Sequence, residues 1–117
     1  MKKVCTALTA VFLFILATPA FAVDVTGELV DLACYTKDKA ANVGAAHQEC
    51  AVTCAKKGMT AAIVTDAGEV YEISGALADN NNARLARFMG QKVALQGSLG
   101  VNAGKKVILA SSIKRAK

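Results

Sequence analysis

The sequence contains few aromatic, proline and histidine residues. It has no Trp, two Tyr, four Phe, one Pro and one His among 117 residues. Three of the four Phe lie within the first 22 residues, so the rest of the chain has only Tyr35, Tyr71 and Phe88. Three aromatic side chains are too few to build the base-stacking platform of proteins that bind single-stranded nucleic acid. We therefore expect no nucleic-acid partner.

Several motifs with catalytic or cofactor roles are also missing. The chain has no C-x-x-C, the motif of thioredoxin-like redox proteins, and no C-x-x-C-H, the attachment motif of c-type haem. The single histidine, His47, stands among cysteines, and no other histidine is present for a Ser-His-Asp triad. We expect no catalytic residues and a protein that is not an enzyme.

Residues 1–22 have the three zones of a secretory signal peptide. Two lysines precede an apolar run over residues 7–16, and the small residues Ala20 and Ala22 place the cleavage after Ala22. The apolar run is too short to span a membrane, and no second one follows. We expect a periplasmic or secreted protein with a cleaved signal peptide and one domain over residues 23–117.

Cleavage would change the size and the charge of the chain. Removal of 22 from 117 residues leaves 95, and removal of two of the 14 Lys and Arg leaves 12 against nine Asp and Glu, a net charge of about +3. A domain of this size with so few large side chains has a small core. A disulfide or a metal ion would stabilise it.

The chemically most capable side chains form the pattern H-x-x-C-x-x-x-C, with His47, Cys50 and Cys54, and Cys34 lies upstream. In a helix over residues 45–57, the three clustered positions share one face. Three thiolates and one imidazole suit a closed tetrahedral zinc site, whereas two thiolates and an imidazole suit Cu(I). The pattern therefore predicts a copper or zinc site with Cys34, His47, Cys50 and Cys54 as ligands.

The same cysteines also allow interpretations without a metal. Three cysteines remain after cleavage, so one disulfide from Cys34 to Cys50 or Cys54 would leave a spare thiol. The neighbouring His47 and two lysines can lower the pKa of a cysteine thiol, as thiol-disulfide exchange requires. The alternative is a disulfide-stabilised thiol-redox or protein-binding module with an envelope protein as its partner.

Two carboxylates lie close to the cluster in sequence. Asp31 and Glu49 are candidates to accept a hydrogen bond from His47 beside a bound metal. Asp31, however, lies in a strand-like segment, where a charged residue is more often solvated. We expect Asp31 to be exposed to solvent.

The sequence predicts five short strands and two helices in the order β-α-β-β-α-β-β. Gly27 marks a bend in the first strand, and Gly58 ends the first helix in the left-handed position after its last turn. The order predicts an α+β, mainly β fold, a small OB-like five-stranded barrel with the Cys/His-bearing helix inserted after strand 1. A split β-sandwich with one covering helix is the alternative. The predicted strands are 23–33, 60–65, 69–73, 91–99 and 105–113, and the predicted helices are 45–57 and 83–89.

Several sequence patterns occur together in this chain. They are G-x-x-x-D-x-x-C from Gly27 to Cys34, H-x-x-C-x-x-x-C-x-x-x-G from His47 to Gly58, and the later strings D-A-G-E-V-Y-E-I and F-M-G-Q-K-V-A-L-Q-G-S-L. In this combination the chain resembles a family of small exported bacterial proteins with an OB-like domain. The resemblance covers nearly the whole chain after cleavage, and the Asp, Cys and His constellation is its most specific part. It implies the fold and the location of a site, and it brings no established activity.

Overall fold

Five β-strands form the framework of the computed structural model, which describes residues 22–39 and 43–116. They hydrogen-bond in the cyclic order β1-β2-β3-β5-β4, and every pair is antiparallel except β3 with β5. The predicted α+β, mainly β class with five strands is confirmed. The strands are β1 (Val23–Asp31), β2 (Ala61–Thr65), β3 (Val70–Ser74), β4 (Lys92–Asn102) and β5 (Lys105–Arg115).

β1 pairs with two different neighbours along its length. Its first part, from Val23 to Glu28, pairs with β4, and its second part, from Gly27 to Asp31, pairs with β2. Gly27 lies in both registers and is buried, and a Cβ atom there would collide with the carbonyl group of Val64. The close approach of β1 to β2 at this position therefore requires a residue without a side chain.

The first strand is shorter than predicted. It ends at Asp31, and the short helix α1 (Leu32–Lys37) follows directly. The prediction of a strand over 23–33 is therefore wrong at its end, because Asp31 caps a helix there. The second helix, α2 (Gln48–Lys56), begins after a 3₁₀ turn at Ala45–His47 and lies within the predicted 45–57.

The predicted helix over residues 83–89 is absent. A one-turn segment, α3 (Asp79–Asn82), precedes this stretch, and a 3₁₀ turn, Ala86–Phe88, lies within it. Leu85, Ala86, Phe88 and Met89 are buried and Arg84 and Arg87 are exposed, so the segment has the one-sided burial of an amphipathic helix without forming an α-helix. Residues 80–82 directly before it have positive φ, and so does Gly90 after it, so the chain forms turns here instead of a continuous helix.

The last two strands form a longer hairpin than predicted. β4 extends to Asn102 and β5 begins at Lys105, so the turn contains only Ala103 and Gly104. Both turn residues have positive φ, 52° and 78°, which is typical of a type I′ turn. The predicted strands over 91–99 and 105–113 are therefore too short, since β4 ends three residues later and β5 two residues later than predicted.

The main core fills the inside of the ring of strands. Its fully buried large side chains include Leu29, Ile63, Leu85, Met89, Leu95 and Ile108. A smaller apolar cluster of Val30, Tyr35 and Ala62 joins α1 to β1 and β2. Within the described ranges, no helix has the length and apolar character needed to cross a bilayer. The predicted signal peptide, except for Ala22, lies outside the described residues.

Candidate metal centre

Asp31 and Cys34 are brought together by the start of α1. The Asp31 side chain accepts a hydrogen bond from the backbone N–H of Cys34 at 3.0 Å, which is the usual bond of a helix N-cap. The α1 turn thereby brings the Cys34 side chain back towards its own cap. Asp31 itself is fixed by pairing with Ala61 of β2, so the carboxylate is held by the sheet.

Cys54 reaches the same place from α2. Successive helical residues are separated by about 100°, so Cys54 lies beside the face that carries Ala51 and Ala55. Those two alanines are buried in the core, and Cys54 is half-buried at their edge. The small alanine side chains let α2 lie close to the sheet, and this places Cys54 over the beginning of α1.

The C-terminal end of α2 is closed by a Schellman motif. The N–H of Met59 donates to the Cys54 carbonyl at 3.2 Å, and the N–H of Gly58 donates to the Ala55 carbonyl at 3.0 Å. Gly58 has a φ of +83°, as this motif requires. The predicted end of the helix at Gly58 is confirmed.

The buried side chain of Asn82 also holds this end of α2. Its Nδ2 donates to the carbonyl oxygens of Ala55 at 2.9 Å and Met59 at 2.8 Å. At the other end of the helix, Gly90 lies so close that an added Cβ would be 2.9 Å from Cβ of Gln48. Contacts at both ends therefore fix the helix that carries Cys54.

Three potential ligand atoms converge as a result. A carboxylate oxygen of Asp31 and the Sγ atoms of Cys34 and Cys54 all lie within 4.8 Å of one another. No disulfide bond is present among the described residues. We call this group, Asp31 with Cys34 and Cys54, the two-sulfur centre.

The two-sulfur centre contains one buried carboxylate, which also raises the pKa of the neighbouring Cys34 thiol. The Cys34 thiol donates a hydrogen bond to the Asp31 carboxylate, and this bond, with burial and the charge of Asp31, raises the pKa of Cys34 to about 11. Asp31 is only 2% exposed, and within the described part of the chain it forms no ion pair. Buried carboxylates are usually paired with a cation or bound to a metal. The arrangement is therefore one that a cation would stabilise.

The other two predicted ligands lie nearby but outside this group. Cys50 is exposed one helical turn before Cys54. His47 lies in the 3₁₀ turn before α2, and its Nε2 atom is buried and has no hydrogen-bond partner within the described residues. Of the predicted set of Cys34, His47, Cys50 and Cys54, the two-sulfur centre includes only Cys34 and Cys54.

An open groove of about 440 Å³ lies along the exposed face of α2. Cys50 and Cys54 both line it, so Cys54 belongs to the groove as well as to the two-sulfur centre. The remaining lining residues are Ala46, Glu49, Thr53 and Lys57.

The sequence made Asp31 a candidate acceptor for His47 and did not place it among the candidate ligands. The prediction that Asp31 is solvated is wrong, because the residue is buried at the junction of β1, β2 and α1. The signal that could have found it is the N-cap pattern, an aspartate between a strand and a short helix. An Asp with a cysteine three residues later places the carboxylate and the thiol on the same helical turn.

Comparison with known proteins finds no matching family model, no matching curated protein and no matching solved structure.

Proposed function

We propose that the protein binds a thiophilic metal ion, zinc or copper(I), at the two-sulfur centre. The observation that carries this proposal is the convergence of the Asp31 carboxylate with the Cys34 and Cys54 sulfurs to within 4.8 Å. Ligand atoms of one tetrahedral zinc ion, at about 2.3 Å from the metal, lie about 3.8 Å from one another. Only a small movement of the side chains would therefore bring the three atoms around one ion.

The donor set suits both metals in different ways. Zinc accepts thiolate and carboxylate ligands together, and three protein ligands leave a fourth position open. Copper(I) prefers sulfur, and two thiolates can hold it without the carboxylate. A bound cation would also favour the thiolate form of Cys34 and balance the buried charge of Asp31. Of the four ligands predicted from the sequence, this proposal keeps Cys34 and Cys54, leaves out His47 and Cys50, and adds Asp31.

The test is metal retention by the purified protein under reducing conditions. After equilibration with Zn²⁺ or, without oxygen, with Cu(I), and removal of excess metal, we expect about one ion per chain by elemental mass spectrometry. Cys34→Ser and Cys54→Ser should each lower this value to near zero. Cys50→Ser is the matched control, because it makes the same exchange on the same helix outside the two-sulfur centre, and it should retain the ion.

Two results would contradict the proposal. One is a wild-type protein that retains neither metal. The other is a Cys54→Ser protein that retains as much metal as the wild type. Circular dichroism of each variant shows whether a loss of metal reflects a loss of fold.

A disulfide between Cys34 and Cys54 is the second candidate, because the same proximity favours it. The two cysteines lie on different helices, so a bond between them would join α1 to α2 and stabilise the domain. The oxidant would be the disulfide of a partner protein, which is reduced to two thiols as the Cys34–Cys54 bond forms. The high pKa of Cys34 makes its thiol a poor nucleophile, so Cys54 or Cys50 would attack the partner's disulfide first. Mass spectrometry of protein purified without reductant detects this bond as a loss of about 2 Da that maps to Cys34 and Cys54.

We also propose an OB-like barrel, exported to the periplasm, as the setting of the site. The cyclic strand order with one parallel pair, and the turns between β3 and β4, support the barrel. The first strand begins at Val23, directly after the proposed cleavage position. We propose a binding rather than a catalytic role, with a metal ion or an envelope protein as partner.

A further inference from the structure

Cys50 shares the groove on α2 with a member of the two-sulfur centre. It is exposed, it precedes Cys54 by one helical turn, and both side chains line the groove. Residues four apart on a helix have Cβ atoms about 6 Å apart, a distance that one metal ion can bridge or cross in a single step. Cys54 therefore lines the open groove and also has its Sγ atom within 4.8 Å of the ligand atoms of Cys34 and Asp31.

We propose that Cys50 is the receiving thiol through which Cu(I) enters the two-sulfur centre from a thiol-bearing donor. This inference rests on the proposed metal site and adds its substrate, Cu(I) carried by a thiol, and its route. Cys50 is the most exposed of the three thiols, so a bulky donor can approach it, whereas Cys34 and Cys54 are half-buried.

The transfer is a series of ligand exchanges without any change of oxidation state. The Cys50 sulfur forms a bond to Cu(I), the bond from the donor sulfur to Cu(I) breaks, and the Cys50 proton passes to the released donor thiol. The Cys54 sulfur then binds the ion and its proton returns to Cys50 as that bond breaks. The Cys34 sulfur completes the two-sulfur coordination, and its proton is released to solvent or to a buffer base. Soft cations exchange between thiolates in this way because sulfur is their preferred ligand throughout.

The charged side chains that line the groove give it no net formal charge. Recognition of Cu(I) in the groove therefore depends on the sulfur atoms and not on electrostatic attraction. Glu49 and Lys57 line the groove with opposite charges, so their formal charges cancel. Thr53 contributes a hydroxyl group that donates to the Glu49 carbonyl at 3.0 Å within the helix. Cys50 and Cys54 are therefore the groove side chains with a strong preference for Cu(I).

The test separates the rate of transfer from the affinity at equilibrium. The donor is a Cu(I)–glutathione complex, mixed without oxygen with the reduced full chain, and transfer is followed by the ultraviolet absorbance of the Cu(I)–thiolate bonds. Affinity is measured by competition with a chromogenic Cu(I) chelator. We expect Cys50→Ser to slow transfer at least about tenfold and to change the affinity less than about threefold. Thr53→Ser, a change in the same groove, should alter neither quantity.

Three outcomes overturn the inference. Unchanged transfer by Cys50→Ser excludes a receiving role while the metal site still stands. An affinity that falls as far in Cys50→Ser as in Cys54→Ser makes Cys50 a permanent ligand instead. Wild-type Cu(I) affinity in Cys54→Ser would contradict the two-sulfur centre itself, and with it the route. Failure of the proposed function is thereby distinguished from failure of the inference about Cys50.

Discussion

Two hydrogen bonds join the Asp31 carboxylate to Cys34. The carboxylate accepts one hydrogen bond from the backbone N–H of Cys34, as a helix cap, and another from the Cys34 thiol. The first bond stabilises α1, and the second stabilises the protonated thiol relative to the thiolate. One buried side chain therefore sets the conformation and the acidity of a proposed metal ligand.

The acidity of Cys34 predicts a slow and strongly pH-dependent alkylation in the metal-free, reduced protein. A pKa of about 11, against an ordinary 9.0, lowers the thiolate fraction at pH 8 by about 100-fold. Because the thiolate is the reacting form, the rate of Cys34 with iodoacetamide should rise with pH up to about 11. Peptide mass spectrometry after timed alkylation measures the rate at each cysteine.

Asp31→Asn is the variant that isolates this effect. Asparagine is also a good N-cap, so α1 is retained while the negative charge is removed. The alkylation rate of Cys34 at pH 8 should rise at least about tenfold, and that of Cys50 should stay unchanged. A wild-type rate that levels off near pH 9 would instead show that the pKa of Cys34 is the ordinary one. Any slow reaction of Cys34 would then come from limited access of the reagent alone.

At the scale of elements, α2 is the part of the site that depends most on distant residues. Asn80, Asn81 and Asn82 have φ values of 55°, 55° and 57°, so the chain makes three consecutive left-handed residues before the Asn82 side chain reaches α2. Asparagine tolerates this conformation better than other residues with a side chain. Two hydrogen bonds from the Asn82 side chain to the end of the helix offset the free-energy cost of this left-handed turn.

Asn82→Gly should lower the free energy of unfolding by about 1–2 kcal/mol. Two carbonyl groups at the end of α2 lose their side-chain donor, and the relief of left-handed strain by glycine offsets part of that cost. Asn80→Gly is the matched control, because Asn80 has the same φ but is exposed, and this change should be neutral or stabilising by up to about 1 kcal/mol. Urea denaturation of both variants measures the difference. Equal effects would show that the Asn82 side chain contributes nothing.

Several elements could be predicted from local sequence, and others could not. The end of α2 was predictable because Gly58 and the lysines before it are a local signal. The missing helix over 83–89 was not, because Leu85 and Met89 are buried in the same core cluster with the spacing of a helical face, and the sequence did not show the left-handed residues 80–82 that precede them. Sequence spacing likewise grouped His47 and Cys50 with Cys54, but it could not show that Asp31 at the end of β1 lies beside the same sulfur.

At the scale of the whole molecule, the ring of strands positions the site. β1 leaves β4 and joins β2 near Gly27, and this second pairing ends at Asp31 opposite Ala61. The backbone N–H of Leu32 then donates to the Thr60 carbonyl at 3.0 Å, which ties the start of α1 to the start of β2. The position of the carboxylate therefore depends on the change of partners that takes place four residues earlier in the strand.

Gly27→Ala tests this dependence on the closed ring. A methyl group at Gly27 would overlap the Val64 carbonyl, which is backbone and cannot rotate away, so β1 and β2 must separate. We expect a loss of about 1–3 kcal/mol in the free energy of unfolding, measured by urea denaturation, together with faster amide hydrogen exchange in β2. Gly100→Ala makes the same change in β4 with no atom within 4 Å of the new methyl group, and it should alter stability by less than about 0.5 kcal/mol. Equal effects of the two changes would mean that β1 tolerates a side chain at its bend, and the position of Asp31 would then have to be fixed by α1 instead of by the ring.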